Sequence, residues 1–89
     1  MAYNSAALAA IAYADGFTLW HYRTEDLVAE VDNAGYFNEA ATMLRQGDFV
    51  LLNTGMGRTP TFGLVVVTEN AGGLVDVSNV TQFGAIDSD

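Results

Sequence analysis

The sequence predicts a small, mainly β fold: an antiparallel sandwich or partial barrel with one short helix between its first two strands. Three observations carry this. Runs rich in aromatic, β-branched and other apolar residues recur at Phe17–Arg23, Phe49–Asn53, Gly63–Thr68 and Leu74–Ser78. Turn chemistry separates them, at Asp15-Gly16, Gln46-Gly47-Asp48 and Asn70-Ala71-Gly72-Gly73. Only one segment, opening at Thr24, combines helical spacing with a cap and a stop.

Residues 1–16 read as an alanine-rich N-terminal arm, either a short helix or a segment that orders against a neighbour. A compact β-rich domain follows over 17–84. Its first strand, Phe17–Arg23, alternates Phe17, Leu19 and His21 on one face with Thr18, Trp20 and Tyr22 on the other. Both faces carry large groups, so both need cover. Thr24 is the expected N-cap of a helix of about ten residues, with Glu25 and Asp26 in its first turn and Gly35 as its stop. Its Leu27/Val31 stripe needs packing, because Asp26 and Glu30 repel at i,i+4. Another short helical turn is expected over Glu39–Leu44. The strand Phe49–Asn53 leads into a flexible loop containing Pro60, then a hairpin, a weak last strand at Val80–Phe83, and a frayed acidic tail at 85–89.

Composition narrows the function. Of 89 residues, 51% are hydrophobic, and 11 acids stand against 3 arginines, for a net charge of −8. Nucleic acid and anionic membranes are bound through clustered Lys and Arg. Arg23, Arg45 and Arg58 are scattered singly, so neither partner is expected. There is no cysteine, which removes disulfides and thiolate zinc sites. A core this small gives marginal stability on its own, and association with other chains becomes the favoured route. The apolar run Ala6–Ala14 lacks the positive flank of a secretory signal, and no stretch approaches the ~20 apolar residues of a membrane span. Synthesis in a reducing cytoplasm is expected.

Chemistry is sparse. His21, in alternation with Phe17 and Leu19, reads as a packed histidine, having no evident nucleophile or orienting carboxylate. The loop Gly55-Met56-Gly57-Arg58-Thr59 lacks the lysine of a phosphate-binding loop and opens no helix. The acids of the helix read as a solvated face rather than a hydrolytic pair. No calcium-loop pattern is present. No catalytic, cofactor-binding or metal-binding residue is assigned, and no enzyme is expected. The aromatic set Trp20, Tyr22, Tyr36 and Phe37 is the candidate interface, because Trp and Tyr concentrate binding energy. Arg58, in the exposed loop, joins it. Stacking of receptor sugars on Trp20 and Tyr22 is a competing use.

The run Gly16-Phe17-Thr18-Leu19-Trp20-His21-Tyr22-Arg23-Thr24, with Ala34-Gly35-Tyr36-Phe37 and Leu44-Arg45-Gln46-Gly47-Asp48-Phe49-Val50, resembles small acidic proteins of tailed bacteriophages and prophages encoded among head-assembly genes. The resemblance covers about residues 1–80 and carries no catalytic residues. It implies a structural virion protein, a capsid decoration or cement subunit on the outer surface of the head. Such proteins commonly sit as homotrimers and clamp neighbouring copies of the major capsid protein. A tail, neck or fibre component is the alternative it leaves open.

Overall fold

A computed structural model describes residues 3–84. The expected acidic tail lies outside the described residues. Six strands form one mixed sheet: β1 (Leu8–Ala14), β2 (Phe17–Arg23), β3 (Phe49–Thr54), β4 (Thr61–Ala71), β5 (Leu74–Val77) and β6 (Thr81–Phe83). The fold is mainly β, with one short helix, α1 (Val28–Val31), after β2. The sheet is packed on one side by the segment 24–48 that joins β2 to β3, and not by a second sheet.

The first difference from the sequence reading lies at the N-terminus. Residues 8–14 are not a free arm but a strand antiparallel to β2. Asp15 and Gly16 have φ of 34° and 97°, the pair of positive values that a primed two-residue hairpin turn demands. That turn brings β1 back along β2 and overrides the helical preference of its alanines. A bulge between Ala10 and Ala12 shifts the register once.

β2 and β3 are parallel, pairing Leu19 with Phe49 through Arg23 with Asn53, whereas every other pair is antiparallel. Parallel neighbours need a long crossover, and residues 24–48 supply it. Within it the expected ten-residue helix shrinks to the single turn of α1. Its intended start is drawn into the sheet end: Thr24 N–H donates to Asn53 O (2.8 Å), Met56 N–H to Thr24 O (3.0 Å) and Gly55 N–H to Asp26 O (2.7 Å). Thr24 Oγ1 still accepts from Asp26 N (3.0 Å), closing a local turn instead of capping a helix. Glu30 Oε1 accepts from Leu27 N (2.9 Å), and that bond holds its carboxyl below its ordinary pKa. The expected turn at 39–44 begins as a 3-10 turn, Asn38–Ala40.

β4 is long enough to serve both β5 and β6. Val67 pairs with Val77, Ser78 N–H donates to Val66 O (2.9 Å), and Leu64 pairs with Thr81. The last two strands are therefore one broken strand along a single edge of β4. Gly63, facing Leu52, allows a close approach of this edge: a Cβ there would lie 2.5 Å from Val80 Cγ1 and 2.6 Å from Thr81 O.

The core lies between the sheet and the crossover. Trp20, Tyr22, Val50, Leu52, Val65, Val67, Val75 and Val77 project from the sheet onto Val31, Phe37, Ala40 and Leu44. Polar bonds fix the crossover over this face. Asp48, fully buried, accepts from Thr18 N (2.9 Å) at Oδ1, and from Trp20 Nε1 (3.1 Å) and Arg45 N (3.0 Å) at Oδ2. Asn70 Nδ2 donates to Ala41 O (2.8 Å) and Leu44 O (2.5 Å). At the edge of β5, Gly35 N–H donates to Val75 O (3.0 Å), while Asn38 Oδ1 accepts from Val75 N (2.8 Å).

Asp48→Asn replaces one acceptor oxygen with an NH2 group aimed at donors. Because buried charge-assisted bonds are costly to lose, a destabilisation of about 2–4 kcal/mol is expected in urea unfolding followed by Trp20 fluorescence. Glu39→Gln, at an exposed position, should change stability by less than about 0.5 kcal/mol. Equal effects for the two variants would remove Asp48 from its central place.

Candidate functional site: an open apolar sheet face

Alternation gives the sheet two unlike faces. Trp20 and Tyr22 point inward and are 8% and 0% exposed, and Phe37 is 1% exposed. These three are core residues, so the expectation that they form an exposed interface or a sugar platform is corrected. Tyr36 is half-buried beside them, and Arg58 is exposed on the β3–β4 loop, its Nη1 donating to Glu25 O (3.3 Å).

The aromatic set is instead an internal cluster. Tyr36 packs edge-on to Phe37 at 5.0 Å between centroids, Tyr22 to Phe37 at 5.3 Å, and Tyr3 stacks on Tyr22 at 5.5 Å. The hydroxyls run in one direction. Asn4 N–H donates to Tyr22 Oη (2.9 Å), and Tyr36 Oη–H donates to Asp26 Oδ2 (2.6 Å). Tyr22 must then donate to Tyr36 across their 3.0 Å contact, since Tyr36 has already used its single proton. Burial, with the Asp26 bond second, pushes the Tyr36 hydroxyl well above its ordinary 10.0.

The opposite face is the one left open. Register aligns Leu19, Phe49 and Val66 in one row; His21, Leu51, Leu64 and Thr81 in the next; and Arg23, Asn53, Phe62 and Phe83 in a third. Phe17 flanks the first row, its ring 5.7 Å from that of Phe49. No element among the described residues covers this face. Phe17, Phe49, Phe62 and Phe83 remain 39%, 39%, 42% and 46% exposed. At about 200 Å² per ring, they alone leave roughly 300 Å² of apolar surface bare, the size of patch that marks an interaction site. None of the residues in these rows is a carboxylate. Glu69 and Asp76, paired on the same side, stand at the β4–β5 end.

A signal for this arrangement was present in the strands. Trp and Tyr carry polar tips that need partners when buried, and Asp48 and Asp26 supply acceptors to the inward face. The outward face is built mainly from Phe, Leu and Val, which can lie against another protein without any such provision.

Other candidates do little chemistry. His21 is half-buried between Ala9 and Leu51 on the open face. In the 55–59 loop, the amides of Gly55, Met56 and Arg58 donate to Asp26, Thr24 and Gly55 carbonyls, so they do not form an anion cradle. Among the described residues, no group of three or more His, Asp or Glu side chains could hold a metal ion. No described helix is long and apolar enough to cross a membrane.

The tyrosine chain has a pH signature. With its pKa raised in the folded state, Tyr36 keeps its proton where the unfolded chain has lost it, so its contribution is full below about pH 10 and fades as pH rises beyond that. Tyr36→Phe should lower stability at pH 7 by about 1–2 kcal/mol and flatten the alkaline decline, as read by urea midpoints between pH 7 and 11. Parallel pH profiles for the two proteins would contradict the assignment. The chain matches no known protein family, no curated protein and no solved structure.

Proposed function

We propose that this chain is a structural virion protein, a decoration subunit that binds the outside of a bacteriophage head and joins neighbouring copies of the major capsid protein. The observation that carries the proposal is the open face of β2, β3, β4 and β6. A decoration subunit needs an apolar surface to lay against a shell, and this face is free of carboxylates along its three rows and uncovered among the described residues. The net charge of −8 suits the remaining surface to solvent and disfavours contact with packaged DNA. The choice of a phage head as that shell rests on the resemblance read in residues 1–80 of the sequence.

The test mixes the purified chain with expanded empty capsids of a phage that encodes it and measures co-sedimentation and copy number. Several hundred copies per head are expected, with greater resistance of the shell to heat. Leu51→Glu and Phe62→Glu, each placing a carboxylate on the open face, should weaken capsid binding at least about tenfold, as loss of a central apolar anchor does. Glu39→Gln should bind as the wild type does. A handful of copies, or binding to tails alone, would replace the decoration reading with a tail or neck component.

A further inference from the structure

We infer that the protein surface laid against the open face carries a carboxylate, from aspartate or glutamate, which Arg23 and Asn53 receive at one corner of that face. The inference rests on the open face being a docking surface, as proposed above, and adds what the partner must present there.

The three rows of the face are not equivalent. Leu19, Phe49 and Val66 make the first wholly apolar, and the second is polar only at His21 and Thr81. The third opens with Arg23 beside Asn53 and turns apolar at Phe62 and Phe83. Arg23 is the only arginine in these rows. It is exposed, and its neighbour Asn53 is half-buried.

Both of these side chains are unspent. Asn4, Asn38 and Asn70 each bond the backbone of their own chain through the side-chain amide, and Arg58 donates to Glu25 O. Among the described residues, neither the Arg23 guanidinium nor the Asn53 amide has a hydrogen-bond or ion-pair partner. The acids on the same side of the sheet, Glu69 and Asp76, stand roughly 20 Å further along β4 at the ~3.3 Å rise of a strand residue. That is beyond the reach of an arginine and beyond the screening length.

Covering the face takes water from this corner as well as from the phenylalanines. A guanidinium stays charged at any working pH, so an apolar or merely neutral cover would leave a buried charge without compensation. A carboxylate removes that cost. Its two oxygens match the planar fork of Arg23, and the Asn53 amide adds a donor alongside. A nucleic-acid phosphate would satisfy the same fork, but a net charge of −8 and a single arginine repel the rest of such a polymer. Because the cation stands at one corner and the acids beyond the opposite end, a partner with one matching acid is held in one orientation.

Co-sedimentation with expanded empty capsids, repeated for charge variants of the full chain, tests this. Arg23→Glu should weaken binding at least about tenfold. Arg23→Gln, and Asn53→Asp, which sets a carboxylate of the chain's own beside Arg23, should each weaken it at least about threefold. Arg45→Gln makes the same charge change on the crossover and should bind as the wild type does. Added salt should weaken wild-type binding and affect Arg23→Gln less. All variants should keep the near-ultraviolet signal of buried Trp20. Wild-type binding that Arg23→Glu leaves unchanged would overturn the inference while preserving the docking reading. A wild-type dimer dispersed by Phe62→Glu would give the face to a second copy and overturn it too. A wild type that ignores capsids would remove the capsid reading, and a probe that needs no shell then decides. Dodecanoate, below the concentration at which it forms micelles, joins one carboxylate to an apolar chain. It should shift the amide resonances of Arg23, Asn53 and Phe62, and dodecyltrimethylammonium should not. No shift, or equal shifts in Arg23→Gln, would overturn the inference.

Discussion

The Asp48 carboxylate is the contact on which the rest of the structure depends. It stands one residue before β3 and gathers Thr18 from β2, Trp20 from the core and Arg45 from the end of the crossover. A parallel pair has no hairpin to hold it in register, and here a side chain does that work at the entry to the ladder. The Asp48 backbone continues the pattern, since its carbonyl accepts from Val67 N at 2.8 Å. A buried carboxylate is tolerated because three donors meet it. At the far end of β2, Asp26 anchors the hydroxyl chain through Tyr36 and Tyr22. Between these two acids the crossover is pinned to one face of the sheet. The other face stays open as a direct result.

Much of this was legible in the residues. The strand segments, the turn at Asp15-Gly16, the hairpin at 70–73 and the position of one short helix follow from local chemistry, and the structure has them. What local chemistry could not convey were the long-range choices. β1 is a strand because a hairpin turn acts on it, although its alanines favour helix. The helix is one turn because Thr24 and Asp26 lend their backbones to Asn53 and Gly55. Parallel pairing of β2 with β3 is a property of the crossover, which no strand records in its own pattern. Alternation correctly divided β2 into two faces but could not say which faced inward. That depended on Asp48, almost thirty residues away in sequence from Trp20.

The division of faces reshapes how the composition is understood. Half the chain is apolar, and the surplus sits on the outward rows of β2, β3, β4 and β6. Two of the acids are inside, holding the fold, so the outward charge is concentrated away from those rows. A surface of this kind is adhesive over one plane and repellent elsewhere, which favours a fixed orientation against a partner over indiscriminate clumping.

The hydrogen bonds that Val75 accepts from Gly35 N–H and donates to Asn38 Oδ1 bear on the growth of the sheet. A sheet with two usable edges can add neighbours without limit, and that is the geometry of a fibre. Here the crossover that roofs the core also takes both backbone groups of Val75 in β5, and β6 offers only 3 residues of edge. The clasp that completes the fold thereby also withdraws part of one edge from growth.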